Sequence, residues 1–370
     1  MGYMPILIEE QVPGIKNFNP FQRFFNRVNQ EELIVFTRQL MTLQAAGVPI
    51  LVSLGSITEQ VANPYFKRII EEIISDIESG KSFSDAISRF SSVFSNIYIN
   101  MVRSGEAAGI MDEVLDRLAT LMEHERETNM RVQQAIRYPL LVVMVIAIAF
   151  PVLVMFVIPK FSALFARFNT ELPLPTKILL GAHFVISHYW PFIILAIVAL
   201  IFSFKRFIDT KSGRYAWDSV KLKVPVFGQI FLKISLSRFS RMTALLTASG
   251  IPIINTLEIV KDSLGNRVIT GSVDNIIHGI SEGKGIAEPM KLSGLFPNIV
   301  VQMVKIGEET GKINELLLKV SDYYDSQVDY TVRNLTILIE PVLIFGLGMM
   351  VLTMALAIFM PMWNLLAVFG

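Results

Sequence analysis

Cysteine is absent from the 370-residue chain, and with it go disulfide frameworks, thiol nucleophiles and cysteine-based metal sites. Charged residues are few, at 18%, and nearly balanced, at a formal net charge of +1. That balance offers no bulk electrostatic case for nucleic acid, whose recognition needs a basic patch or stripe. Histidine is equally sparse, and His124, His183, His188 and His278 fall at no metal-ligand spacing such as HExxH. No nucleophile, base and orienting group stand at a spacing that suggests catalysis. The expectation is a protein that is not an enzyme, with no catalytic residue, no cofactor and no metal. Strand alternation and Asn-Gly hairpin signals are also missing, which leaves the helix as the element to build from. Residues 1–20 lack both the basic n-region and the unbroken apolar core of a secretory signal, so the part that follows is expected to stay in the cytoplasm.

Apolar residues are what the chain has in quantity, 52% of the total, too many for an ordinary soluble protein and natural for a membrane protein. They belong to an internal repeat. Phe36–Ile50 reads FTRQLMTLQAAGVPI and Phe239–Ile253 reads FSRMTALLTASGIPI, identical at Phe36/Phe239, Arg38/Arg241, Leu43/Leu246, Ala45/Ala248, Gly47/Gly250, Pro49/Pro252 and Ile50/Ile253. Gly80-Lys81 answers Gly283-Lys284, and after a one-residue slip FSNIYINMVRSGEAAG (Phe94–Gly109) answers FPNIVVQMVKIGEETG (Phe296–Gly311). Each copy then enters an apolar segment, opened by Tyr138-Pro139 or Glu340-Pro341 and closed by Pro159 or Pro361. Two homologous modules result, each a polar part followed by a hydrophobic one.

In chain order, residues 1–30 carry Pro5, Pro13, Gly14 and Pro20 without a sustained period and read as a flexible lead-in. Residues 31–137 form a first cytoplasmic helical module. Within it Tyr65, Phe66, Ile69, Ile70, Ile73, Ile74 and Ile77 make one apolar helix face, with Glu71, Glu72, Asp76 and Glu78 on or near the other. A transmembrane helix follows over 138–159, whose uncharged core Leu140–Ile158 has the length that crosses a bilayer, about 20 residues. An external loop (160–180), a second transmembrane helix (181–204) and a basic cytoplasmic linker (205–233) come next. The linker's flank of Lys205, Arg206, Lys211, Arg214, Lys221 and Lys223 marks the cytoplasmic side. The second helical module occupies 234–339, a third transmembrane helix 340–361, and an external tail 362–370. Two spans separate the modules, so parity puts both on one side and the C-terminus on the other. The fold class expected is an all-α membrane protein with two homologous cytoplasmic six-helix bundle modules plus three transmembrane helices.

The paired signatures, the GEAAG and GEETG turns and the placement of three spans together resemble the type II secretion system F protein and type IV pilus assembly platform family (GspF/PilC-like). The resemblance covers about residues 31–365. It implies a bacterial inner-membrane, multi-pass platform that forms a homo-oligomer in the lipid bilayer. The implied partners are a hexameric cytoplasmic assembly ATPase, pilin or pseudopilin subunits and inner-membrane alignment proteins. Many members carry a longer segment before the first signature, so contacts made there are expected to be absent or replaced. The residues that carry the resemblance, and with it candidate partner or subunit contacts, are Arg38, Gly47, Pro49, Gly105, Glu106, Gly109, Arg241, Gly250, Pro252, Gly307, Glu308 and Gly311.

Several of these have plainer readings. Glu106 and Glu308 sit at the turn into the last helix of each module, where a carboxylate near a helix N-terminus is favoured. A divalent-cation site from Glu106 with Asp112, Glu113 or Asp116 is a chemical alternative. Arg38 and Arg241 are expected to pair with a carboxylate of their own module. Gly80-Lys81-Ser82 is the tail of a phosphate-binding loop, but Ser75 stands where that motif needs glycine. A helix stop followed by a turn is the better reading, and no ATP hydrolysis is expected. Glu340, at the edge of the third span, reaches water at little cost and is a candidate contact for a pilin helix. A small two-repeat membrane transporter is the competing function, against which stands the lack of ionisable residues near the centres of spans one and three.

Overall fold

The computed structural model describes residues 27–156, 159 and 174–369. The lead-in expected over 1–30 and the external loop expected over 160–180 lie mostly outside the described residues. No strand occurs among the described residues, and the chain divides into two compact units between Met122 and Glu123.

The first unit holds helices α1 (Gln30–Ala45), α2 (Ile50–Gln60), α3 (Pro64–Glu78), α4 (Phe83–Ser88), α5 (Asn96–Ala108) and the start of α6 (Met111–Phe156). Asn63 opens α3 by accepting from the N–H of Tyr65 at 3.0 Å and of Phe66 at 3.4 Å, the ordinary work of an N-cap asparagine. The apolar positions of α1, α3 and α5 converge on an aromatic core. Phe36 meets Phe66 edge-on at 5.4 Å and Phe94 at 6.1 Å, and Phe94 meets Tyr98 at 5.1 Å. All four are essentially fully buried, and each contributes on the order of 2–3 kcal/mol by burial. One expectation for α3 fails: Asp76 is buried, not on the solvent side with Glu71 and Glu72. Lys81 at 2.8 Å and Arg89 both reach its carboxylate. A buried carboxylate is tolerable only when paired in this way, and both cations lie beyond the helix that periodicity describes.

The second unit contains the rest of α6, then α7 (Leu174–Ile208), α8 (Lys211–Lys223), α9 (Phe227–Ala248), α10 (Ile253–Ser263), α11 (Arg267–Ser281), α12 (Ala287–Leu292), α13 (Asn298–Thr310) and α14 (Ile313–Phe369). Helices α9 to α14 repeat α1 to α6 in order. Asn266 caps α11 through the N–H of Val268 and Ile269, as Asn63 caps α3. Phe239 packs on Phe296 at 5.2 Å, as Phe36 does on Phe94. The basic stretch 205–233 contains the end of α7, all of α8 and the start of α9. Asp218 of α8, only 2% exposed, ties α8 to the start of α11 by accepting from the Arg267 N–H at 2.9 Å.

Among the described residues three helices are long and apolar enough to cross a membrane: α6, α7 from Lys177, and α14. Their apolar side chains are open to the surroundings, as at Leu195, Leu200 and Phe202, which suits lipid and not water. Residues Val154 and Leu179 form a small buried contact between α6 and α7. Pro361, expected to close the third apolar segment, lies inside α14, which continues to Phe369. In apolar surroundings a proline leaves a helix intact where the freed backbone groups find local partners.

Candidate functional site

The residues that repeat are found at the joints of each module. After α1 the chain stops at Gly47, whose φ of +76° is open to glycine at no cost, and the N–H of Val48 returns to the Leu43 carbonyl at 3.0 Å. Gly250 does the same after α9, with Ile251 bonded to Leu246 at 3.2 Å. Pro49 and Pro252 then begin the next helix, each carbonyl accepting at 2.9 Å from Ser53 or Thr256. Gly105 and Gly307 let the last helix of the module pass close: an added Cβ would lie 2.9 Å from Val114 Cγ2 or 2.7 Å from Ile313 Cα. Gly109 and Gly311 are the left-handed stops of α5 and α13.

Glu106 and Glu308 serve a helix N-terminus, but not that of the following helix, as the sequence suggested. Glu106 sits in the last turn of α5 and reaches back to α4, where its two carboxylate oxygens accept from the N–H of Phe83 at 2.8 Å and of Ser84 at 3.1 Å. Glu308 accepts from Ile286 and, at 3.1 Å, from Ala287 at the start of α12. Helices of 6 residues cannot satisfy their own first amides internally, so a carboxylate from a distant helix closes them. Gly285 stands where the first copy has Ser82, and a Cβ there would come within 2.9 Å of Glu308 Oε1; the first copy makes the equivalent contact with a serine in that place. Lys81 pairs with Asp76, and Ser82 accepts from the Asp85 N–H at 3.1 Å. The Gly-Lys-Ser turn therefore joins two helices.

Arg38 reaches across to α6, donating to Asp116 at 2.6 Å and to Thr120 at 3.2 Å. Glu113 pairs with Arg117 at 3.3 Å. The acids considered for a divalent cation are thus engaged at Glu106, Glu113 and Asp116, and no cluster of metal-ligating side chains occurs among the described residues. In the second copy Arg241 donates to Asp322 at 2.8 Å and to Asp325 at 2.7 Å. Asp322 is the repeat counterpart of Thr120, so both arginines contact the same level of the closing helix through different partners.

Asp325, which the sequence did not single out, is the centre of the larger network. Ser237 donates to it, Ser321 lies 3.5 Å away, and His124 Nε2 of α6 comes within 2.9 Å without an aligned hydrogen bond. Burial pushes this carboxyl upward, but His124, Ser237 and Arg241 outweigh it and hold it at about 2. Glu125 of α6 pairs with Arg238 of α9 at 3.1 Å, and Arg131 pairs with Asp329 of α14. Below these pairs Ile230, Val328, Val332 and Leu335 are buried with Val132 and Ala135 packed on them. The signal for this seam was present in the alternation of Ser321, Asp325 and Asp329 beside the apolar row Tyr324, Val328 and Val332, but its partners lie in another helix. At the membrane edge Glu340 is exposed and makes no hydrogen bond or ion pair among the described residues.

A family model described as "Type II secretion system (T2SS), protein F" matches the chain twice, over residues 36–159 and 239–361. These bounds are Phe36 to Pro159 and Phe239 to Pro361, the limits of the internal repeat. Among similar proteins, type IV pilus assembly protein PilC of Myxococcus xanthus is 35% identical over 92% of this chain and 82% of its own. PilC of Pseudomonas aeruginosa is 33% identical over 93% and 92%. Type II secretion system protein F of Aeromonas hydrophila is 26% identical over 98% and 94%.

Proposed function

This chain belongs to the type II secretion system protein F family, and from that premise we propose that it is the inner-membrane platform of a type IV pilus machine. The general role, a multi-pass inner-membrane platform of the type IV pilus and type II secretion class, comes with the family. The choice of pilus over secretion follows the gradient of identity, 35% and 33% to the PilC proteins against 26% to a secretion protein F. In this reading each module is a cytoplasmic six-helix bundle, the C-terminus is external, and the platform is a homo-oligomer. The cytoplasmic face meets a hexameric assembly ATPase and the alignment proteins, while the spans offer pilin helices a surface, with Glu340 at its edge.

One observation carries the mechanism. Helices α6 and α14 each run without interruption from a polar module into an apolar span. A motor that turns or displaces a module would move the attached span with it, and the span would press on a pilin helix in the bilayer. No chemistry is needed in this chain for that, and we propose none: the Gly-Lys-Ser turn uses its lysine and serine to hold α3 and α4.

The test is an in-frame deletion with complementation, scored for surface filaments by electron microscopy and for secreted proteins in the medium. Loss of filaments with normal secretion is expected. Loss of secretion with normal filaments would move the protein to the type II machine. Unchanged filaments and secretion with a lost solute flux would replace the platform by a transporter.

A further inference from the structure

Arg131 of α6 and Arg333 of α14 are the same position in the two copies, each eight residues before the proline that opens its span. If the pair were symmetric, each arginine would share the two nearby carboxylates, Glu127 and Asp329. It is not symmetric: Arg131 engages Glu127 at 3.2 Å and Asp329 as well. Arg333 is left with no hydrogen bond or ion pair among the described residues. Beside it lies an open cavity of about 480 Å³, lined by Arg131, Gln134, Ala135, Asp329, Val332 and Arg333. Two guanidinium groups, an amide and one carboxylate line it, over a floor made apolar by Ala135 and the buried Val332; Arg131 is already paired with Glu127 and Asp329, which leaves Arg333 as the guanidinium open to a ligand.

We infer that this cavity takes the phosphate head group of an anionic phospholipid. Its depth suits that ligand. Arg333 is roughly 10 Å along the helix axis from Glu340, at about 1.5 Å per residue. The head-group layer is on the order of 5–7 Å thick on each side, so the cavity opens within a few ångströms, about one side-chain length, of it on the module side. A guanidinium matches a phosphate in a bidentate fork, Gln134 adds donors, and the apolar floor continues into the faces of two spans. Basic pockets between membrane helices recognise lipid head groups by these means. A soluble phosphate would use the arginines but gain nothing from the floor, which is why the lipid is the favoured source. The inference rests on the membrane placement of α6 and α14 and not on filament assembly, so the two fail separately.

The test uses the purified full chain in nanodiscs of phosphatidylcholine with a minor share of phosphatidylglycerol, followed by native mass spectrometry of the lipid retained. Wild-type protein is expected to keep phosphatidylglycerol selectively. Arg333→Gln should weaken that retention about tenfold, the range of a charge-assisted hydrogen bond, with its melting temperature unchanged because Arg333 is exposed and has no partner among the described residues. Arg137→Gln, at the same membrane edge but outside the cavity, should weaken it less than half as much. Equal losses in the two variants would reduce the effect to general attraction of basic residues to an anionic surface and overturn the proposal. So would retention by Arg333→Gln at the wild-type level, or displacement of the lipid by inorganic phosphate.

Discussion

Gly105 and Gly307 occupy the same place in the two copies but not the same surroundings. A Cβ at Gly105 meets the Val114 side chain, whereas at Gly307 it meets the Ile313 backbone, which is harder to displace. Gly307→Ala should therefore destabilise by about 2–3 kcal/mol and Gly105→Ala by about 1 kcal/mol, within the usual range for overpacking. Thermal melting in detergent would reverse this account if Gly105→Ala were the worse. Glu106→Ala and Glu308→Ala each remove a charged acceptor from two backbone amides and should cost about 2 kcal/mol. Hydrogen exchange at Ser84 and Ala287 should rise with them, and unchanged protection there would show that the carboxylates do not close α4 and α12.

Asp325 sets a pH dependence whose sign follows from its neighbours. Its carboxyl is held at about 2, below the ordinary 3.8. Its stabilisation is therefore present above pH 4 and is lost as the pH falls toward 2. Asp76, lowered by its hydrogen bonds to Lys81 and Arg89, adds a loss of the same sign in acid. For Asp325 the loss is on the order of 1–2 kcal/mol after allowance for its partial exposure. Melting followed from pH 7 to pH 2 should fall below pH 4. Asp325→Asn should start lower at pH 7 and fall less, and a curve parallel to wild type would remove Asp325 as the cause.

At the scale of elements, the proposed coupling requires the long helices to act as stiff levers. Each glycine in a helix interior costs about 1 kcal/mol relative to alanine, so three inserted after Asn129 should uncouple the two ends of α6. Filaments should disappear while protein level and membrane insertion persist; the same insertion after Ala62, between α2 and α3, should leave them. Filaments surviving the α6 insertion would mean that motion is not carried along this helix. The existence of α1 to α6 and their copies was legible from apolar spacing and glycine stops. Their ends were less so: Pro361 looked like a terminator because proline breaks helices in water, and α14 runs past it.

At the scale of the whole molecule, the orientation predicts a labelling pattern that the absence of cysteine makes easy to read. Single cysteines at Ser88, Ser281 and Gly370 give one site in each module and one at the C-terminus. A membrane-impermeant maleimide added to intact spheroplasts should label only Gly370→Cys, and the module sites should label after permeabilisation. Module labelling in intact spheroplasts would invert the topology.

What the sequence determined by itself was the architecture that local and periodic signals encode. The duplication can be read by aligning the chain with itself, and the apolar spans, the turns at Gly47 and Gly250 and the helical nature of both modules can each be read within about 20 residues, because backbone freedom and hydrophobic period are local properties. The tertiary structure alone decided which charges meet. Glu106 answers to α4, Arg38 to Asp116, and Asp325 to His124, Ser237 and Arg241. Those partners lie on other helices, often 80 or more positions away. A carboxylate's role depends on what packing brings within about 4 Å of it, and no spacing along one helix records that.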